Sequence, residues 1–164
     1  MFRKIDDFTT EWKYESASTL KLFDALTDES IHKTSLGEVR KIGRLSWHIT
    51  YTLHEMMNRT GMNIPAIDEG AIPETAKEIR DTYQRLSDAL ISEISKWTDA
   101  DLEKEDDMYG QMWKRGTTLS ILIKHQAHHR GQLTVLMRQA GLKVVGVYGP
   151  AREEWAAYGM PTMD

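Results

Sequence analysis

Four stretches of this 164-residue chain repeat apolar side chains at three- and four-residue intervals, whereas strand-like alternation is scarce. The first runs from about residue 6 to 26, has neither Gly nor Pro, and sets Phe8, Trp12, Ala17, Leu20 and Phe23 at helical spacing. The second opens at Ser35, which with Glu38 fits a reciprocal capping box, and reaches about Arg59 before Gly61 offers a C-terminal stop. Residues 74–97 form the third, with Pro73 suited to its first turn. The fourth has Thr117 and Thr118 as candidate N-caps and extends to about Ala140, stopped at Gly141. A helix with one apolar face must bury it against a neighbour, so four long ones predict an all-α four-helix bundle with a short C-terminal extension. Residues 1–164 are expected to form this single domain. Between the third and fourth helices, "MYGQMW" fits either a small hairpin or an irregular loop. The tail after Gly141 reads as an extended piece, a Gly-Pro turn and one short helix.

Composition narrows the function classes. Hydrophobic residues make up 40% and charged residues 28%, the balance of a soluble globular protein. A formal charge of −4 argues against a nucleic-acid partner, and the only basic clusters are at 40–44 and 114–115. No apolar run approaches the ~20 residues that cross a bilayer, and the N-terminal residues carry no apolar signal core. A cytoplasmic protein without membrane contact is the expectation. The chain has no cysteine, which excludes disulfides, thiolate metal sites and a cysteine nucleophile. Any thiol chemistry must therefore use a thiol supplied from outside.

The stretch "KHQAHHRGQL" holds three of the six histidines. Projected at about 100° per residue, His129 falls within the apolar stripe of the fourth helix and His125 lies at its edge one turn earlier. His128 points to the flank. The pair at i and i+4 can converge on one point, as histidines do in helical metal motifs. A third ligand is needed from another helix. The second helix offers His48 and His54 on opposite shoulders of its apolar stripe, and periodicity does not choose between them. His32 lies in a polar turn.

These motifs resemble those of the DinB/YfiT-like proteins. The resemblance rests on "LSWHIT" in the second helix, "HQAHHRGQL" in the fourth, the lead-in "RGTTLSILIKH" and the later "GVYGP". It implies a four-helix bundle in which His48, His125 and His129 hold a metal ion, and so resolves the choice between His48 and His54. Members of that family include thiol-dependent S-transferases and mycothiol-dependent isomerases, and the family name implies no contact with DNA.

Three neutral imidazoles leave at least one coordination position open, for a water of lowered pKa or for a thiolate. An all-nitrogen set suits Zn²⁺, Ni²⁺ or Fe²⁺. Gln132 and Glu55 are candidates to support a ligand or a bound water, with His128 behind them, while Arg130 is placed to pair with a carboxylate between helices. Tyr51, Trp47 and Trp113 either line a pocket or fill the core. Two functional classes follow. One is a metal-dependent enzyme acting on a small molecule, an S-transferase with a low-molecular-weight thiol or a hydrolase. The other is a non-catalytic metal-binding bundle serving as a sensor, store or structural module. Either is compatible with a homodimer.

Overall fold

The computed structural model describes residues 1–34 and 40–161. Its long helices are α1 (Ile5–Asp24), α3 (Ile42–Asn58), α4 (Ala76–Ile94) and α5 (Arg115–Gln139), with a one-turn α2 (Asp28–Ile31) after α1. A 3₁₀ segment (Asp99–Glu103) leads into the antiparallel strands β1 (Glu105–Met108) and β2 (Gln111–Lys114), and a second 3₁₀ segment (Arg152–Tyr158) lies near the end.

The four long helices form the expected bundle. Each packs against two others, in the cyclic order α1, α4, α3, α5. End contacts fix their directions. The Phe2 amide donates to the Gly116 carbonyl, so α1 and α5 begin at the same end, while Asp24 at the end of α1 pairs with Arg80 near the start of α4. The loop after α3 meets the last turn of α4 through the Asn63 amide and Glu93, so α3 and α4 run parallel. Two parallel neighbours cannot be joined by a tight turn, and residues 59–75 therefore travel back along the bundle as a crossover. Gly61, with φ +83°, starts that reversal where a side chain would be strained.

The core is apolar and filled, with Phe8, Trp12, Ile49, Leu53, Tyr83, Leu86, Leu122 and Leu133 fully buried. Among the described residues no helix is long and apolar enough to cross a membrane. One charged pair sits within the packing. Arg130, 2% exposed, forms an ion pair with Glu15 of α1 and also donates to the Glu15 carbonyl at 2.9 Å and to Thr19 Oγ1 at 3.0 Å. Tyr148 from the tail donates to Glu15 Oε2 at 2.8 Å, which fastens the C-terminal segment to the α1–α5 seam. Arg130 thus has the interhelical carboxylate that its position on the apolar side called for.

Several helix ends differ from expectation. The Ser35–Glu38 capping box lies outside the described residues, and the described α3 starts at Ile42. Pro73 precedes α4 rather than occupying its first turn, because the Thr75 side chain accepts from the Glu78 amide and makes Thr75 the cap. Thr117 and Thr118 lie inside α5, which begins at Arg115 directly after β2. The strand pairing explains this early start. The Arg115 amide donates to the Lys104 carbonyl and its guanidinium pairs with Asp106, so the hairpin itself launches the helix. "MYGQMW" is the hairpin: Tyr109 and Gly110 both have positive φ, 62° and 83°, the pattern of a two-residue turn that matches strand twist.

Candidate metal centre

His48 stands in the second turn of α3, and His125 and His129 stand one turn apart near the middle of the facing α5. Because α3 and α5 are neighbours, the three imidazoles converge across their seam. One potential ligand atom from each lies within 4.8 Å of the others. The Nε2 atoms of His125 and His129 are 3.1 Å apart, and the ring centroids of His48 lie 5.2 Å from His125 and 4.8 Å from His129. His129 is 9% exposed, and the His48 side chain 17%.

The surroundings bias all three rings towards the neutral, lone-pair-bearing form. Burial pushes the His125 pKa down to about 4, with His129 and His48 adding repulsion. Burial also lowers His129 and His48, the latter assisted by the charge of Arg40. His129 Nδ1 lies 2.8 Å from Gln132 Oε1, an acceptor, which leaves Nε2 as the free nitrogen. The Gln132 amide nitrogen in turn faces His128 Nε2 at 3.1 Å. His48 Nδ1 lies 3.4 Å from Glu69 Oε1, short of a well-formed hydrogen bond, and His125 Nδ1 is buried without a partner.

The other histidines stand apart. His128 is exposed and reaches the cluster only through Gln132 and the edge of the His129 ring. His54 points to the opposite shoulder of α3, its ring against Tyr51 and its Nδ1 buried without a partner. His32 is exposed, 3.9 Å from Glu74.

A cleft of about 450 Å³ opens beside His48 and His125, walled by Tyr51, Thr52, Glu55, Met56, Glu69, Tyr109 and Ile121. Its polar walls are themselves braced. Glu55 accepts from Arg59 Nε at 2.8 Å and from the Tyr109 hydroxyl at 2.7 Å, so its carboxylate faces the cleft without touching a histidine. The Arg59 guanidinium stacks 4.5 Å from the Tyr109 ring centroid. Burial and the Glu55 charge raise the Tyr51 pKa, and the phenol stays a hydrogen-bond donor at neutral pH. Trp47 fills core and donates to the Asp68 carbonyl, while Trp113 packs edge-on against Tyr109.

Three contributors escaped the sequence reading. Glu69 arrives on the crossover loop, and no periodicity links a loop carboxylate to a helix it happens to pass. Tyr109 arrives through a turn whose conformation is set by strand pairing. Gln126 is fully buried beside His125, donating to the Ile49 carbonyl at 2.9 Å and accepting from Tyr83 at 3.2 Å. A glutamine within the apolar stripe of α5 was the available signal for that one.

Comparison with known proteins bears on the family and the fold. The DinB family model matches residues 1–163. The chain belongs to the DinB family. The uncharacterized protein YrdA of Bacillus subtilis is 40% identical over 162 residues, 98% of this chain and 97% of that one. The crystal structure of a DinB-like protein from Bacillus cereus superposes with a TM-score of 0.87 at 40% identity, covering 90% of this chain and all of that one, 100%. A second DinB-like protein, YjoA of Bacillus subtilis, shares the fold at a TM-score of 0.70 and 16% identity, over 88% of this chain and 99% of that one.

Proposed function

We propose that His48, His125 and His129 hold a divalent metal ion, and that this DinB protein is a metal-dependent enzyme acting on a small molecule in the adjoining cleft. The observation that carries the reading is the convergence of three imidazoles at the edge of an open cleft. Ligands about 2.0–2.1 Å from one ion, at angles between a right angle and the tetrahedral value, sit about 2.8–3.4 Å apart. The 3.1 Å between His125 Nε2 and His129 Nε2 fits that spacing. The donor set is all nitrogen, which suits Zn²⁺, Ni²⁺ or Fe²⁺. A closed structural site would have a fourth protein ligand, whereas here two of the three histidines, His48 and His125, line a cleft.

A divalent ion held by His48, His125 and His129 would supply a Lewis acid beside the cleft. The chain's own residues supply the rest. Gln132 holds the proton at His129 Nδ1, Met56 and Ile121 give the cleft an apolar side, and the Tyr51 hydroxyl is available to donate to an oxygen or sulfur of the bound molecule. Such a site serves a thiol-dependent S-transferase or a hydrolase. In the first case the thiol is a separate small molecule, because the chain contains no cysteine.

The test is metal analysis of untagged protein followed by assays of thiol conjugation and ester hydrolysis, with and without chelation. Metal at one equivalent and activity lost in His129→Ala support the proposal. Bound metal with no turnover in either assay favours the sensor or storage module. Activity that survives both chelation and His129→Ala removes the metal from the mechanism.

A further inference from the structure

Arg44, Trp47 and His48 occupy i, i+3 and i+4 positions of α3 and so share one face of the helix. All three engage the crossover loop at the same place. Arg44 Nη1 donates to the Glu69 carbonyl at 2.6 Å and Nη2 to Glu69 Oε1 at 2.9 Å, while Trp47 Nε1 donates to the Asp68 carbonyl at 2.9 Å. The loop is thus held by backbone and side chain together, and its carboxylate is aimed at the imidazole one turn beyond Arg44. His48 Nδ1 is buried and has no other partner among the described residues, with Glu69 Oε1 at 3.4 Å. A buried N–H left unpaired is costly, and the Glu69 carboxylate is the acceptor that stands beside it.

We propose that Glu69 is a positioning residue for the metal centre: it accepts the Nδ1 proton of His48, fixes the tautomer that leaves Nε2 free for the ion, and so couples metal occupancy to docking of the crossover loop. The inference rests on the reading of the three histidines as metal ligands and deepens it. It assigns each supporting partner a distinct origin, Gln132 from the ligand helix itself for His129 and Glu69 from a remote loop for His48. The Glu69 side chain is 39% exposed, so its contribution is orientation rather than a strong buried charge. Arg44 matters through the same path, since it holds the carboxylate in place.

Two measurements on the full chain test this. The first is the affinity for Zn²⁺ and Co²⁺, read by competition with a chromophoric chelator. The second is the His48 tautomer in metal-free protein, read from long-range ¹⁵N–¹H NMR couplings at a pH where the imidazoles are neutral. The expected result is Nδ1–H in the parent protein, loss of that preference in Glu69→Ala, and a fall in metal affinity of about 10–100-fold. Glu69→Gln keeps an acceptor oxygen and is expected to retain the tautomer and most of the affinity. Unchanged affinity and tautomer in Glu69→Ala would overturn the proposal while leaving the three-histidine site standing. Equal losses in the Ala and Gln variants would place the effect in charge and overturn it too. If the parent protein binds neither ion, the metal reading itself fails and the proposal with it, yet the tautomer measurement still shows whether Glu69 orients His48.

Discussion

His129 Nδ1 lies 2.8 Å from Gln132 Oε1, three residues further along α5, and this contact decides which His129 nitrogen faces His125. With the proton held at Nδ1, the Nε2 lone pair is directed to the seam between α3 and α5. The same amide faces His128 through its nitrogen, so flipping it would disturb two imidazoles together. A polar residue on the exposed side of a helix thereby sets the donor state of a residue near its core. Replacing Gln132 with Ala frees the His129 tautomer. The expected loss in metal affinity is about 10–100-fold with the fold intact, measured by chelator competition alongside circular dichroism.

Removing a member of the triad itself acts more severely. His48→Ala, His125→Ala and His129→Ala are each expected to lower affinity by more than the roughly 100-fold that marks the upper end for supporting partners. His54→Ala and His128→Ala should bind one equivalent as the parent does, because neither ring joins the convergent set. Isothermal titration of the five variants with Zn²⁺ checks this. Equal losses in His128→Ala and His129→Ala would mean that the helix presents a different pair.

How far these features were legible before the structure depends on their range in the chain. His125 and His129 share a helix, so a four-residue spacing and an apolar stripe were enough to pair them and to set His128 aside. Arg130 was likewise legible, since a charge on the buried side of a helix needs a buried partner, although Glu15 as that partner was not. The facing of His48 against His54 depends on which neighbour covers each shoulder of α3, and that is a tertiary fact which only a family resemblance could supply in advance. Glu69 and Tyr109 were illegible for the same reason: a crossover and a hairpin bring them in, and neither carries a period. The misplaced starts of α4 and α5 show local signals losing to context. Thr117 and Thr118 are good caps by composition, but β2 feeds its backbone hydrogen bonds straight into Arg115.

The Arg130–Glu15 pair is expected to be a major determinant of stability. Both side chains are almost wholly buried, and Thr19 and Tyr148 add hydrogen bonds to the guanidinium and the carboxylate, leaving only Arg130 Nε without a partner among the described residues. Arg130→Ala leaves the Glu15 carboxylate buried without its counter-charge, which typically costs about 3–5 kcal/mol. The tail should loosen as well, since Tyr148 is docked on the same carboxylate. Urea unfolding monitored by tryptophan fluorescence gives the first quantity. Protease cleavage after residue 141 reports the second. A loss below about 1 kcal/mol would class the pair with exposed ion pairs, contrary to its burial.

The lowered histidine pKa values give metal-free protein a defined pH dependence. In the unfolded chain the imidazoles take up protons below about 6.5. In the folded chain burial holds His48 and His129 below that value and His125 down to about 4. Between those limits the unfolded state binds more protons, so stability falls as the pH falls. Above about 6.5 all three are neutral in both states and contribute no slope. Chelator-treated protein should therefore show a melting temperature that is level from pH 7 to 8 and declines steadily from pH 6.5 towards pH 4. His125→Leu removes the most strongly shifted group and should flatten the decline. A parent and variant with parallel curves would show that other groups govern the acid limb.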